Sequence, residues 1–133
     1  MICYEMIGYF SDEPESQGFP VPVLELLYPS VGNYIMTVGI PDYTDFNKKV
    51  FEGMKADSEI DVYHFEHALG RDLAGMSDQR NYWTFDIPAL MINDTSFLRN
   101  PNYHQMSDDI DTLDFDKMAQ VIDSMIRCLG RLG

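Results

Sequence analysis

Four apolar segments, separated by polar and turn-forming stretches, predict the strands of a sheet. They are MICYEMIGYF at residues 1–10, YIMTVGIP at 34–41, IDVYHFEHAL at 60–69 and IPALMIND at 87–94. Each segment is short and rich in β-branched or aromatic residues, which favours a strand over a helix. Because IPALMIND is continuously apolar, we expect that strand to be buried on both faces.

Residues 42–56 predict a helix, because apolar side chains recur there at intervals of four residues. We expect Thr44 or Asp45 to be its N-cap residue. The residues at helical spacing are Phe46, Val50 and Met54.

The C-terminal segment predicts a longer helix, with Asp114 as its cap. Arg127 is expected in the last turn and Gly130 just beyond the end, because glycine commonly terminates a helix. The apolar stripe expected to face the core consists of Phe115, Met118, Ile122, Met125, Ile126 and Leu129.

The remaining segments predict loops. Residues 19–33 contain three prolines and are expected to form a loop or a short helical turn. Residues 75–86 predict a loop or one to two helical turns, and 95–113 a loop. Strands that alternate with helices indicate an α/β class with a mixed, mostly buried sheet and flanking helices. No linker divides the chain, so residues 1–133 are expected to form a single domain.

Composition and charge limit the classes of partner. The 133 residues carry 22 Asp and Glu against 9 Lys and Arg, a formal net charge of −13. This balance argues against nucleic acid and anionic membrane as partners, because phosphate binding needs clustered Lys and Arg. An acidic surface favours cations instead, including metals and protonated amines.

The termini and the cysteines bear on the cellular compartment in which the protein is expected. No basic segment precedes the first strand and no apolar run reaches about 20 residues, so neither a signal peptide nor a membrane span is expected. A cytoplasmic location is the default. The chain starts directly in a strand, as if a segment upstream were missing. Cys3 and Cys128 have apolar neighbours and are expected to be buried free thiols.

Glu5 is unusual because it lies in an otherwise apolar strand. A buried carboxylate is costly unless it is paired or bound to a metal. The alternative is that the strand lies at an edge of the sheet and Glu5 faces solvent.

His104 is a second candidate metal ligand. It follows the turn-forming sequence NPNY in the loop after IPALMIND, and sites in α/β sheets collect in such loops. Imidazole is a common zinc ligand and needs an acceptor for its other nitrogen, which Asp108, Asp109 or Asp111 could provide. The alternative is a solvated turn before the last helix. Asp78 is a weaker candidate, since it could equally cap a helix.

Other site motifs are absent from the sequence. In HFEH, a strand would place His64 and Glu66 on one face and His67 on the other, so the three cannot hold one ion. The alternative for this segment is a surface or edge strand. The HExxH motif, a Gly-rich phosphate loop and a G-x-S-x-G motif are all missing. Two ligands do not make a catalytic zinc site, which needs three.

Two segments together resemble a known family. They are YEMIGYFSDEPESQGFP at residues 4–20 and SDQRNYWTFDIPALMINDTSFLRNPNYHQMSDDIDTLDFDKMAQVI at residues 77–122. The elements SD, IPAL, RNPNYH and DTLD resemble, in order and spacing, the zinc-dependent aminopeptidase family of co-catalytic-zinc metallopeptidases, which includes glutaminyl cyclases and glutamate carboxypeptidases. The resemblance implies the C-terminal half of a phosphorylase/hydrolase-like α/β domain.

The resemblance also implies roles for individual residues. Glu5 and His104 match two zinc ligands, which in two-zinc members belong to different ions. Asp78 matches the SD position, which supports the ligands, but Gln79 stands where the family often has histidine. Asp108 and Asp109 are further candidates for supporting roles.

The family's other ligands and its general base, one of two adjacent glutamates, lie upstream of the MIGY strand and are absent from these residues. A peptide substrate is implied for the family, while the isolated chain is predicted to be inactive and to bind zinc weakly or not at all. The alternative is a non-catalytic binding domain that keeps the peptidase fold.

The resemblance has a consequence for partners. The strand with Glu5 is interior in the family, so here its edge would be bare. This predicts a homodimer or association with a missing N-terminal half. The alternative is that the segment FPVPVLELLYP folds back over this edge.

Overall fold

The computed structural model describes residues 1–68, 70–73 and 75–132, and it confirms the predicted α/β class. Four strands form a mixed sheet of order β1-β4-β2-β3, in which β2 and β4 are antiparallel and the other pairs parallel. The strands are β1 (Ile2–Tyr4), β2 (Ile35–Gly39), β3 (Val62–Glu66) and β4 (Leu90–Asn93). Every residue of the two central strands is buried, which explains their continuous apolar sequence.

The first strand is shorter than predicted and ends at Tyr4. Met6 adopts a left-handed backbone conformation, with φ of 52°, which stops the extended chain. The Asp94 carboxylate then accepts hydrogen bonds from the N–H groups of Gly8 (3.1 Å) and Tyr9 (2.8 Å). These bonds turn residues 7–10 away from the sheet, so β1 keeps only three residues.

Helix α1 (Thr44–Lys55) lies where it was predicted, but its capping residue was predicted wrongly. Tyr43 is the N-cap residue and makes no side-chain capping bond. The Thr44 hydroxyl instead donates to Glu66 Oε1 at 2.5 Å, and the Pro41 carbonyl, at 3.0 Å from the same oxygen, is an alternative acceptor. The β3 carboxylate therefore holds the start of the helix in place of a local cap.

Two short helices, α2 (Gly70–Leu73) and α3 (Gln79–Trp83), precede β4. The longer helix α4 (Phe115–Leu132) is capped as predicted, because Asp114 Oδ1 accepts the N–H of Lys117 at 2.9 Å. The predicted stop at Gly130 is wrong, since the helix continues for two further residues. Arg131 holds this last turn against α1 by donating to the Gly53 carbonyl (3.3 Å) and to Asp57 (2.8 Å).

The predicted core stripe of α4 is largely wrong. Met125 is buried, but four other members of the stripe are 44–61% exposed, namely Phe115, Ile122, Ile126 and Leu129. The buried face consists of Val121, Met125 and Cys128, which pack with residues of α1 and the sheet. A Cβ at Gly53 would lie 2.7 Å from Cys128 Sγ, so the two helices meet closely there. That contact sets the rotation of α4 and turns Cys128 inward.

The opposite face of the sheet is covered by irregular segments. The 3-10 turn at Pro22–Leu26 and its flanks pack here, and Tyr28 donates its hydroxyl to the His64 carbonyl at 2.7 Å. The C-terminal end of this segment therefore lies beside β3, at the opposite edge of the sheet from β1, while Phe19, Pro20 and Leu24 line a cavity together with Glu5 and Met6. The alternative that FPVPVLELLYP folds back over the edge of β1 stays a prediction.

The predictions for the two cysteines and for the loop at residues 95–113 agree with the structure. Cys3 and Cys128 are free and buried. Within residues 95–113, the loop contains 3-10 turns at Ser96–Leu98 and Ile110–Thr112. No helix in the described ranges is long and apolar enough to cross a membrane.

Candidate functional site

Glu5 and His104 lie together at one end of the sheet. Glu5 follows β1 directly, and its N–H donates to the Ile92 carbonyl of β4 at 3.1 Å. His104 lies in the loop that follows β4. Both residues line two neighbouring cavities of about 400 Å³ and 380 Å³. Glu5 and His104 are almost a hundred residues apart in the sequence, and the fold places both of them in the lining of the same two cavities.

The Glu5 carboxylate is oriented by a serine. Ser77 donates its hydroxyl to Glu5 Oε2 at 2.7 Å, and the Cys3 thiol lies 3.5 Å from the same hydroxyl. The Glu5 carbonyl accepts a hydrogen bond from the Asn93 side chain. Glu5 is exposed at the mouth of the cavities, so its charge does not carry the cost of a buried carboxylate.

The backbone around this site is strained. Four residues that line the larger cavity adopt left-handed conformations unusual for side-chain-bearing residues: Met6 (φ 52°), Thr95 (75°), Ser96 (51°) and His104 (57°). Each such conformation costs on the order of 1–3 kcal/mol, and such residues cluster at functional sites. Two of these conformations therefore fix the backbone at His104 itself and at Met6, the residue directly after Glu5.

Asp94 is an important residue that the sequence interpretation missed. It is 1% exposed, and besides the N–H groups of Gly8 and Tyr9 it accepts the N–H of Ser96 at 2.9 Å. Burial raises the pKa of Asp94, while these three N–H groups and the nearby Arg99 act in the opposite direction. Asp94 therefore clamps the turn after Glu5 to the turn after β4. The sequence did contain a feature that could have identified Asp94, namely an acidic residue at the end of the most apolar strand.

Arg99 stabilises the floor of the larger cavity. It is 6% exposed and donates to Gln17 Oε1 (2.9 Å) and to the Tyr34 carbonyl (2.8 Å). Its guanidinium carbon lies 4.6 Å from the centre of the Tyr34 ring. Burial lowers the pKa of Arg99, and the Asp94 charge opposes this shift.

The larger cavity is mainly apolar. Its size falls within the range of sites that hold small molecules or side chains. Residues from both central strands and from the covering segments contribute to its walls, among them Phe19, Leu24, Met36, Val38, Met91 and Phe97. The cavity can therefore accept an apolar group adjacent to Glu5 and His104.

The smaller cavity is acidic. Glu5, Asp94 and Asp108 line it together with His104. Asp109 has a different position, because its carboxylate accepts the N–H of Asp111 at 3.0 Å and caps a 3-10 turn. Asp78 is exposed at the N-cap position of α3, makes no capping bond and lines neither cavity.

Aromatic packing orients His104. The Tyr103 ring stacks on the imidazole with 3.9 Å between the ring centres and 16° between the planes, and Phe97 packs against Tyr103. In the part of the chain that the structure describes, no hydrogen bond joins the imidazole to Asp108, Asp109 or Asp111. Among the described residues, no three His, Cys, Asp or Glu side chains are grouped so as to hold a metal ion.

In the HFEH segment, His64, Glu66 and His67 line neither of these cavities, whereas Phe65 lines the larger one. His64 and Glu66 share a face of β3 as predicted, with 3.6 Å between Nε2 and Oε2. Thr37 and His64 are hydrogen-bonded at 2.7 Å, and Asn47 donates to Glu66 at 2.6 Å. Burial alone would raise the pKa of Glu66, but hydrogen bonds from Thr44 and Asn47, with His64 nearby, lower it below its ordinary value. This network joins α1 to the sheet.

Comparisons with known proteins agree with the fold. No family model matches the chain. It is 40% identical over 129 residues to the uncharacterized protein YfbL of Escherichia coli, covering 97% of this chain and 40% of that protein. Two crystal structures of the LapA aminopeptidase of Legionella pneumophila superpose with TM-scores of 0.61 and 0.60 at 20% identity. They cover 96% of this chain and 29–30% of LapA.

The chain therefore has the α/β fold of the C-terminal part of an aminopeptidase. It spans about 40% of the length of the curated relative it matches and under a third of LapA.

Proposed function

We propose that the chain is the C-terminal part of a zinc-dependent, aminopeptidase-like metallopeptidase, a class that hydrolyses the peptide bond at the N-terminus of a substrate. The observation that carries this proposal is the position of Glu5 and His104. In a fold like that of LapA, these two residues share the wall of an apolar and an acidic cavity. Carboxylate oxygen and imidazole nitrogen are both common zinc ligands.

The residues present fit a part of a zinc site. When bound, zinc supplies Lewis acidity, polarising a carbonyl group and acidifying water. On this chain, Ser77 orients the Glu5 carboxylate and Tyr103 orients the His104 imidazole. The apolar cavity would receive a substrate side chain, and the acidic cavity would favour a protonated amino group.

The isolated chain is proposed to be inactive and to bind zinc weakly. Hydrolytic zinc sites have three protein ligands and an open position. Of the described residues, Glu5 and His104 are the two proposed zinc ligands at these cavities. We identify no general base beside them. Activity would require further residues from outside the 133 present here.

A second candidate function is a non-catalytic binding domain that keeps the peptidase fold. The apolar cavity favours it, because such a cavity can hold a ligand without any metal. A peptide with an apolar N-terminal residue that binds equally well with zinc and with a chelator would support this candidate over the metallopeptidase.

A zinc titration by calorimetry tests the proposed ligands. Glu5→Gln and His104→Ala should each abolish the weak binding of the unmodified chain. His67→Ala and Glu59→Gln are matched controls, since neither residue lines a cavity. Unchanged zinc binding in His104→Ala would rule out the ligand assignment. Chelator-sensitive hydrolysis of an aminoacyl chromogenic substrate by the purified chain would rule out the predicted inactivity.

A further inference from the structure

Tyr34 has a buried hydroxyl group whose hydrogen has no acceptor among the described residues. The residue is 0% exposed, and its hydroxyl oxygen is a buried atom without a hydrogen-bond partner in that part of the chain. Burial raises the pKa of Tyr34, although Arg99 acts in the opposite direction, so the hydroxyl is a donor at neutral pH. A buried donor without an acceptor is costly and rare in folded proteins.

The charged neighbour of Tyr34 cannot supply the missing acceptor. The Arg99 guanidinium carbon lies 4.6 Å from the centre of the Tyr34 ring. A guanidinium has only N–H donors, so Arg99 can at most donate to the Tyr34 oxygen. The hydroxyl hydrogen is therefore free to bind an acceptor that comes from outside the described residues.

Tyr34 belongs to the wall of the larger cavity. It directly precedes β2, and the alternation of side chains along a strand places it on the same face as Met36 and Val38. All three residues line the cavity and share one buried cluster. Ile35, which lies between them in the sequence, packs instead in the cluster that contains residues of α1 and α4.

Other polar side chains of this cavity already have partners. Ser77 donates to Glu5 Oε2 at 2.7 Å, and Thr95 donates to Gln17 Oε1 at 3.0 Å. These bonds hold the walls of the cavity together. Among the described residues that line it, Tyr34 is the one with a buried side-chain atom that lacks a hydrogen-bond partner.

The rest of the cavity favours an aromatic ligand with a protonated amine. Phe19, Phe65 and Phe97 all line it and offer ring faces and edges for packing another ring. Glu5 is exposed at the mouth, where its negative charge attracts an amino group. A ligand with an amine at one end, a ring in the middle and an oxygen at the far end matches these three features.

We propose that Tyr34 is a specificity-determining residue that selects peptides with an N-terminal tyrosine, by donating its hydroxyl hydrogen to the phenolic oxygen. This inference rests on the proposed function, because it takes the larger cavity as the place where the side chain of the N-terminal residue binds. An N-terminal phenylalanine would occupy the same space but leave the Tyr34 hydroxyl without an acceptor. It should therefore bind less tightly.

Calorimetry with two peptides that differ by one oxygen atom tests the proposal. They are tyrosyl-alanine amide and phenylalanyl-alanine amide, both measured in the presence of a chelator. The unmodified chain should bind the tyrosyl peptide about 10-fold more tightly, the effect of leaving one buried donor without a partner. Tyr34→Phe should bind both peptides alike. Tyr63→Phe is the matched control and should keep the preference, because Tyr63 packs against Tyr34 but does not line the cavity.

Thermal unfolding of the free protein gives an independent measurement. Tyr34→Phe should unfold at the same temperature as the unmodified chain or at a higher one, because it removes a polar group without a partner. Tyr28→Phe should unfold at a lower temperature, since it removes the bond from the Tyr28 hydroxyl to the His64 carbonyl at 2.7 Å. An equal fall in both variants would mean that an ordered water binds the Tyr34 hydroxyl, and would overturn the proposal.

Three results of the calorimetry would also overturn it. They are equal affinities of the two peptides for the unmodified chain, a preference that survives in Tyr34→Phe, and binding of neither peptide. Because the peptides are measured without zinc, failure of Glu5 and His104 to bind zinc would contradict the metallopeptidase and leave this preference intact. Zinc binding by these two residues without a preference for tyrosine would overturn only the preference.

Discussion

Ser77 donates its hydroxyl to the Glu5 carboxylate at 2.7 Å, although the two residues are 72 positions apart. Ser77 lies in the turn before α3, and Glu5 follows the edge strand β1. The bond therefore connects the end of the edge strand to the irregular segment before α3. It also fixes one of the two oxygens with which Glu5 could bind a cation.

Removing this hydroxyl should weaken cation binding. We predict that Ser77→Ala lowers the affinity for zinc by about 10–100-fold, the usual effect of losing a hydrogen bond to a ligand. Calorimetry or competition with a chromophoric chelator measures the change. Ser107→Ala is a matched control in the loop that contains His104. Equal zinc affinity in Ser77→Ala and the unmodified chain would show that this bond does not orient a ligand.

The close contact between α1 and α4 should make Gly53 intolerant of a side chain. We predict that Gly53→Ala destabilises the fold by about 1–3 kcal/mol, because the new Cβ would lie 2.7 Å from Cys128 Sγ. Chemical denaturation measures the loss. The double variant with Cys128→Ala removes the opposing sulfur and should recover part of it. An unaffected Gly53→Ala variant would contradict the proposed contact.

The sequence predicted the sheet better than it predicted the orientation of α4. Strands β2, β3 and β4 could be predicted from local strand propensity. The early end of β1 could not, because Met6 enters a turn that Asp94, a residue distant in the sequence, holds by hydrogen bonds. In α4, apolar residues occupy two adjacent faces, so periodicity alone could not select the buried one. The selection depends on contacts with α1 and the sheet, among them the close approach of Cys128 to Gly53 on α1.

The candidate site was predictable only in part. His104 and Glu5 were identified from a carboxylate in an apolar segment and a histidine after a strand, together with a resemblance in the surrounding motifs. The clamp by Asp94 was not identified, because its three N–H partners lie on two separate turns. Asp78 was selected from the resemblance in the SD motif and Asp109 from its proximity to His104 in the sequence, and neither criterion determines what a side chain faces.

Gly130 provides a test of where α4 ends. Its backbone lies inside the helix, and a Cβ there would meet no atom within 4 Å. We predict that Gly130→Ala stabilises the protein by up to about 1 kcal/mol, the difference in helix propensity between the two residues. Thermal unfolding measures the shift. A loss of stability would instead indicate that residue 130 terminates the helix in a left-handed conformation.

The Glu66 network should contribute to stability in a pH-dependent way. Glu66→Gln replaces a carboxylate that accepts hydrogen bonds from Thr44 and Asn47, and we predict a loss of about 1–3 kcal/mol at neutral pH. Because the pKa of Glu66 is lowered in the folded state, the carboxylate stabilises the fold fully above the ordinary glutamate pKa. That contribution disappears as the pH falls from this value through the lowered pKa.

Unfolding of the unmodified chain and of Glu66→Gln by denaturant, measured across this acidic range, tests the prediction. The difference in unfolding free energy should be largest near neutral pH and should shrink as the pH falls below the ordinary glutamate pKa. Glu59→Gln, at an exposed residue, is the matched control and should show little difference at any pH. A difference for Glu66→Gln that stays constant with pH would mean that its hydrogen bonds do not depend on the charge of the carboxylate.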